Sequence, residues 1–183
     1  MLNITTVDND STARTRFSVA YRRAENLAAL DVRKAIELCV GPSLRTLEAA
    51  YTASGIELSG NDIDLRWRDY YPQGNWFMGN ALELPLSGFD AAIFAPPLSR
   101  GCTGRREDSL NIDEVNPSYR EFLSSEHTPR VTVLVLPGRS LSTKEDRKQF
   151  YALMKTLGPG VEAIEMKDER NRITKYVDIY IGV

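Results

Sequence analysis

Two carboxylates, a glycine turn and a Pro-Pro step are the parts of this chain whose types and spacing suit chemistry. Glu37 falls near the end of an apolar run, Ala35-Ile-Glu-Leu-Cys-Val-Gly-Pro-Ser43, and Gly41 sits in the turn that follows. A glycine there lets the backbone bend sharply and come close to a ligand. In open α/β sheets ligands bind beyond the carboxyl ends of the strands, so a first strand–turn–helix is where such a group belongs. A dinucleotide fingerprint needs G-x-G-x-x-G. With Gly41 as its second glycine, Cys39 and Leu44 hold the other two positions. The chain is also short for the second region with which a dinucleotide oxidoreductase holds its substrate. An ordinary strand–turn–helix without a ligand is the other reading of the segment.

The segment Glu37-Leu-Cys-Val-Gly-Pro-Ser43 resembles the first motif of class I S-adenosylmethionine-dependent methyltransferases, an acid leading into a D-x-G-x-G-x-G turn. Glu37 takes the acidic position and Gly41 the central glycine, while Cys39 and Ser43 stand as small residues for the outer glycines. Further matches follow in order. Gly60-Asn-Asp-Ile-Asp64 resembles the end of the second strand, where the family's acid takes both ribose hydroxyls. A carboxylate can accept both. Asp62 is the candidate and Asp64 the alternative, and Ile63 would flank the adenine. Gly79-Asn-Ala-Leu-Glu-Leu-Pro85 is similar to the family's G-D-A-x-x-L-P. Asn80 would accept a hydrogen bond from the adenine amino group, and Ala81 and Leu82 would pack around the base. The resemblance runs from Lys34 to Val183. It implies S-adenosylmethionine as cofactor and a seven-stranded sheet whose last strand is antiparallel.

Ala95-Pro-Pro-Leu98 resembles the [DNS]-P-P-[YFW] motif of amino methyltransferases that act on adenine, guanine or glutamine nitrogens. There the first side chain and a proline carbonyl accept hydrogen bonds from the target amine, aligning its lone pair on the sulfonium methyl. Alignment and a suitable electrostatic environment supply most of the rate. Ala95, Pro96 and Pro97 are the catalytic candidates. Ala95 lacks a side-chain acceptor and Leu98 cannot stack as an aromatic does, so only backbone carbonyls are left for the amine. Leu98, Arg100, Arg105 and Arg106 are the candidate substrate-binding residues. Arginines there suit a phosphate-bearing substrate, RNA or DNA, although Glu107, Asp108, Asp113 and Glu114 follow at once. Three readings stand: a methyltransferase acting on a nitrogen of a planar amine, such as a nucleic-acid base; a non-catalytic S-adenosylmethionine-binding domain serving as partner or sensor; and a nucleic-acid module that has lost the cofactor. The sequence pI of about 5.6 speaks against the third.

These residues need elements to hold them. Phe17, Ala20, Tyr21, Ala24, Leu27 and Ala28 keep helical spacing and predict a helix over Thr12–Leu30. Its basic face, Arg14, Arg16, Arg22 and Arg23, reads as solvated surface. The helix would cap the cofactor pocket or mediate dimerisation. Strands are expected at Lys34–Val40, Ile56–Asn61, Asn75–Met78, Phe89–Ala95 and Arg130–Leu136. Helices are expected at Leu44–Ser54, stopped by Gly55, and at Ser118–Ser124, with Asn116 as N-cap and Pro117 next. A further helix, Thr143–Leu157, carries a Ser142/Glu145 capping box and ends at Gly158-Pro159. Leu65–Tyr70 reads as one or two helical turns, and Ser99–Val115 as a long loop. Val161–Lys167 and Lys175–Val183 alternate around a polar turn and read as an antiparallel hairpin, with Tyr176 and Tyr180 toward the core. Strands alternating with helices give an α/β fold: a mainly parallel sheet with helices on both faces. Residues 1–30 read as a polar arm and helix, and 31–183 as the cofactor-binding domain.

Composition sets the bounds. The chain has 183 residues, 42% hydrophobic and 26% charged, enough for one soluble domain. A net charge of −2 gives no global basic field. Two cysteines, Cys39 and Cys102, make neither a disulfide framework nor a zinc quartet, so no metal is expected and a reduced cytoplasmic setting fits. The N-terminus lacks a signal-peptide core, and no apolar run approaches the roughly 18 residues of a membrane span. The one histidine, His127, reads as a surface-loop residue, and Cys39 as a small buried residue rather than a nucleophile. Trp67, Tyr70, Tyr71, Trp76 and Phe77 read mainly as core.

Overall fold

The computed structural model describes residues 17–64, 75–95, 122, 128–137, 144–157, 161–167 and 173–182. Apolar runs bounded by turn residues become seven strands: β1 (Lys34–Leu38), β2 (Glu57–Asp62), β3 (Trp76–Met78), β4 (Ala91–Phe94), β5 (Val131–Pro137), β6 (Val161–Lys167) and β7 (Ile173–Ile181). They form one sheet in the order β3-β2-β1-β4-β5-β7-β6. The first five pair in parallel, and β7 runs antiparallel between β5 and β6. The expected hairpin therefore closes the fold, with its second strand inserted next to β5. Ala91–Phe94 is buried along its whole length, as a central parallel strand must be.

Helices α1 (Phe17–Ala29) and α2 (Leu44–Ala53) pack on one face of the sheet. Ala20, Ala24 and Leu27 of α1 meet Leu47, Ala50 and Tyr51 of α2 over Ala35, Leu58, Ile93 and Val133. Helix α3 (Lys144–Leu157) lies on the other face, where Met154 packs against the cluster of Ile36, Leu38, Phe94 and Leu134. Phe122 reaches the same cluster and stacks on Phe94 with ring centroids 4.6 Å apart.

Both helices of the first face end in the same way. The Gly55 amide donates to the Thr52 carbonyl and the Ile56 amide to that of Tyr51, with Gly55 at φ 75°. Asp31 and Val32 repeat the pattern on Ala28 and Leu27, and there the left-handed position is filled by Asp31 at φ 57°. Each is the two-bond C-cap that satisfies the last helical carbonyls. Asp90 begins β4 by accepting the amides of Arg33 at 2.8 Å and Lys34 at 2.9 Å. Those two bonds hold its carboxyl below the usual range.

Several expectations are revised. β1 stops at Leu38, two residues early, because Cys39 turns to φ 61° and leaves the strand. β4 is shorter at both ends, and β7 begins and ends two residues earlier than read. Arg23 is not on a solvated face. It is 1% exposed, while its neighbour Arg22 is exposed. α1 itself is laid into the core beside α2. Trp76 packs partly buried, whereas Phe77 is 41% exposed and meets Phe89 edge-on. Tyr180 is buried as expected. The readings at Leu65–Tyr70, Trp67, Tyr71, Ser99–Val115, Asn116–Pro117, His127, Ser142 and Gly158-Pro159 lie outside the described residues, as does the side chain of Tyr176.

The end of β7 admits one residue type only. Gly182 has φ 85°, and a Cβ there would stand 2.1 Å from the Arg130 carbonyl oxygen. Gly182→Ala is expected to lower stability by about 2–3 kcal/mol, combining left-handed strain with overpacking against backbone. Urea melts of the two proteins check this, and a change under about 0.5 kcal/mol would mean the strand end shifts freely.

Candidate functional site

In an open α/β sheet the ligand crevice belongs at the carboxyl ends of the strands, here β3, β2, β1 and β4, which are neighbours in the sheet. The order reverses between β1 and β4, the place where open α/β sheets bind ligands. Pairing of Leu38 with both Asn61 and Phe94 aligns the three central strand ends. Beyond that line stand the turn Cys39–Ser43, the Asp62–Asp64 corner, the Gly79–Leu82 turn and Ala95.

Cys39 at φ 61° and Gly41 at φ 51° give the first turn two left-handed residues, after which a 3-10 turn, Gly41–Ser43, leads into α2. A Cβ on Gly41 would meet nothing within 4 Å, so the glycine faces open space. Ser43 is buried at the N-cap of α2. Burial, and secondarily Asp62, pushes the Cys39 thiol up to about 12, so it stays protonated at neutral pH. A thiol in that state is a packing group and not a nucleophile.

Asp62 ties two turns together. Its Oδ2 accepts the Gly41 amide at 2.8 Å and its Oδ1 the Asp64 amide at 2.9 Å. Each oxygen keeps acceptor capacity for a hydroxyl beside these bonds. Ile63, the next residue, is 71% exposed at the rim. Asn61 faces the other way. Its Nδ2 donates to the carbonyls of Phe77 at 3.0 Å and Gly79 at 2.9 Å, and its Oδ1 is buried with no hydrogen-bond donor in reach among the described residues. Asn61 thereby fixes the turn after β3. Within that turn the Asn80 Oδ1 accepts the Leu82 amide at 3.2 Å and its Nδ2 donates to Glu83 at 3.0 Å. Asn80 is exposed, Leu82 half-buried and Ala81 buried.

Glu37 is placed differently from the expectation that it serves the cofactor directly. Strand alternation turns it onto the α1/α2 face, 2% exposed, beneath the turn rather than on the surface a ligand meets. Its Oε1 accepts from Arg23 Nη1 at 3.2 Å and its Oε2 from the Tyr51 hydroxyl at 3.4 Å. Arg23 also grips Asp178 of β7 with two bonds, Nε to Oδ2 at 2.5 Å and Nη2 to Oδ1 at 2.9 Å. Asn26 extends the network to the Tyr180 hydroxyl at 3.2 Å. Burial raises the Glu37 carboxyl, against the pull of Arg23 and with the push of Asp178. Arg23 stays charged: burial opposes the charge, but Asp178 and Glu37 more than offset it.

The crevice thus gathers Cys39, Gly41, Ser43, Asp62, Ile63, Asn80, Ala81, Leu82 and Ala95, and it leaves Glu37 behind the turn. Ala95 follows the buried end of β4 and is half-buried. Pro96, Pro97, Leu98, Arg100, Arg105 and Arg106 lie outside the described residues. Arg23, Tyr51, Asn61 and Asp178 are functional neighbours that the motif comparison did not single out. Among the described residues no group of three His, Cys, Asp or Glu could hold a metal, and no helix is long and apolar enough to cross a membrane.

No family model matches the sequence, and comparison with curated proteins finds no relative. Solved structures do match. The methyltransferase domain of a bacterial Hen1, CtHen1-CN, aligns with a TM-score of 0.59 at 12% identity over 90% of this chain and 97% of its own. The human methyltransferase 10 domain containing protein aligns at 0.60 and 13% over 91% and 83%. The hMettl16 catalytic domain, solved in complex with a MAT2A 3′UTR hairpin, aligns at 0.56 and 14% over 89% and 69%. With the strand order and the antiparallel β7, these establish the class I, Rossmann-like methyltransferase fold.

The left-handed residue in the first turn has a direct test. Cys39→Gly is expected to stay within about 0.5 kcal/mol of wild type, the relief of left-handed strain offsetting glycine's entropy and the lost thiol packing. Cys39→Val places a β-branched residue where it fits worst, and stability is expected to fall by about 2 kcal/mol. Equal losses in chemical denaturation would show that side-chain volume, and not backbone conformation, governs the position.

Proposed function

We propose that the chain is an S-adenosylmethionine-dependent methyltransferase that transfers a methyl group to a nitrogen of a planar amine, on a nucleic-acid base. The observation that carries this reading is the crevice itself. A backbone turn opened by Cys39 and Gly41, a half-buried carboxylate with acceptor capacity left, and an exposed apolar residue beside it stand at the switch point of a methyltransferase fold. The residues suit the cofactor. Cys39, Gly41 and Ser43 would border its amino-acid end, Asp62 its ribose, and Ile63, Asn80, Ala81 and Leu82 its adenine. Glu37 acts behind the turn, where its bond to Arg23 fixes the strand end.

Bound S-adenosylmethionine supplies a methyl on a sulfonium, open to direct displacement by a lone pair. The chain's part is to align the acceptor. The carbonyls of Ala95 and Pro96 would accept the N–H groups of the amine, and Pro97 would hold the step rigid. Leu98, Arg100, Arg105 and Arg106 would meet the substrate, the arginines through phosphate. The nucleic-acid acceptor draws support from those arginines and from the likeness to a domain solved with an RNA hairpin.

Ala95 favours one second reading, because an alanine offers the amine no side-chain acceptor: a domain that binds the cofactor without transferring its methyl. Titration calorimetry with S-adenosylmethionine and S-adenosylhomocysteine, followed by S-adenosylhomocysteine release in the presence of RNA or DNA, separates the two. Micromolar binding with turnover supports the enzyme. Binding without turnover on RNA, DNA or protein supports the sensor, and no binding of either ligand sinks both.

A further inference from the structure

Away from the crevice, α3 carries four cations and a tyrosine on one side. At 3.6 residues per turn, Lys144, Arg147, Lys148, Tyr151 and Lys155 fall on an arc of about 100°. Glu145 and Asp146 stand off that arc by the same geometry. All five residues of the arc are exposed, and Tyr151 is 67% exposed. Lys144, Arg147, Lys148 and Tyr151 line a recess of about 890 Å³. The same geometry sets Met154 about 20° beyond Arg147, where it packs partly buried against the core, so the arc borders the buried side of the helix. So much positive charge on one arc is local in a chain of net charge −2.

The position matters as much as the charge. β5 ends at Pro137 on the edge of the sheet that carries the crevice, and residues 138–143 connect it to Lys144. The cationic arc therefore follows in the chain a strand that ends at that edge. From Lys144 to Lys155 the helix rises roughly 16 Å, the length of about five stacked nucleotides at 3.4 Å each.

We propose that this face of α3 is a docking surface for the phosphate backbone of a single-stranded RNA, with Tyr151 as a platform for one base. The cations match phosphates, and an exposed aromatic among them is the pairing that single-strand binders use. An acidic protein would use the cations but gain little from the tyrosine. The inference rests on the nucleic-acid acceptor proposed above and deepens it: the strand whose base enters the crevice would continue along α3.

The test is fluorescence anisotropy with a labelled twelve-nucleotide oligouridine at 50 and 200 mM salt, with polyglutamate as competitor and S-adenosylhomocysteine titrated in parallel. Wild type is expected to bind with a log–log salt slope of about −2 to −3, as for four phosphate contacts on a single strand. Arg147→Glu/Lys148→Glu is expected to weaken binding at least tenfold and to flatten the slope by about 1–1.5. Tyr151→Ala is expected to weaken it about tenfold with the slope unchanged. Arg22→Glu, exposed on α1 across the sheet, serves as the control and is expected to change affinity less than twofold. Unchanged RNA affinity in the α3 variants, a loss equal to the control's per charge, or polyglutamate binding in place of RNA would overturn the proposal. S-adenosylhomocysteine binding is expected to be the same in all α3 variants. Its absence from wild type would instead fail the cofactor reading, which keeps the two apart.

Discussion

Arg23→Met is expected to cost about 3–5 kcal/mol at pH 8, as breaking a buried ion pair does. Methionine fills much of the volume, so the loss is electrostatic. It leaves Glu37 and Asp178 buried, close together and without the cation that pairs both. Urea melts at pH 5 and pH 8 give the test its second reading. The Glu37 carboxyl is already raised by burial, with Arg23 as the main force holding it down. A carboxyl raised in the folded state lends stability that is full below its unfolded pKa of roughly 4.3 and is lost as pH rises through the folded value. Removing Arg23 raises the folded value further, so the gap between variant and wild type is expected to narrow from pH 8 to pH 5. An equal loss at both pH values would mean that packing, and not charge, is what Arg23 supplies.

The same network links the fold to the crevice. Arg23 joins α1 to β1 and β7, and Glu37 lies two residues before the left-handed Cys39. Tyr51 of α2 holds the other Glu37 oxygen. The turn between β1 and α2 is thus fixed from beneath at its strand end and by α2, and its backbone is left to face the crevice.

Much of this was legible in the sequence, and what was not has a physical cause. Strand β4, helix α2 with its Gly55 stop and the closing hairpin follow from apolar periodicity and turn residues, which act locally. Asp62 ends β2 and Asn80 stands in the turn after β3, where motif order expects acceptors, because strand ends are set by the same local rules. The role of Glu37 could not be read that way. Strand alternation turns this acid under the sheet, and its burial there depends on a cation 14 residues earlier that also pairs an acid 141 residues later, neither of which belongs to any motif. A signal was nevertheless present. Asp178 stands two residues before the buried Tyr180, on the same stripe of β7, and Arg23 stands between Ala20 and Leu27 on the buried stripe of α1. A charge on an apolar stripe needs a partner of opposite sign, and these two stripes face each other. The insertion of β7 between β5 and β6 was beyond reach for another reason: a hairpin's two strands are equally apolar, and sequence does not say which pairs with the sheet.

Asp62→Ala is expected to weaken S-adenosylhomocysteine binding at least 100-fold, since a carboxylate taking two hydroxyls contributes about 3 kcal/mol. The difficulty is that Asp62 already has structural work, accepting the amides of Gly41 and Asp64. Loss of those bonds is expected to lower stability by about 1–2 kcal/mol, and a loosened turn would weaken binding by itself. Asp62→Asn separates the contributions. Its one carbonyl oxygen can keep an amide bond, but the uncharged group, with an NH2 in place of the second oxygen, serves a diol poorly. If the ribose is held by Asp62, the asparagine variant retains most of its stability yet loses affinity nearly as far as the alanine variant. Calorimetric titration and urea melts on the same two proteins decide the matter. Affinity that falls only in step with stability would make Asp62 a brace between turns, and the ribose would then belong to Asp64, whose amide is bonded but whose carboxylate sits one residue beyond the exposed Ile63.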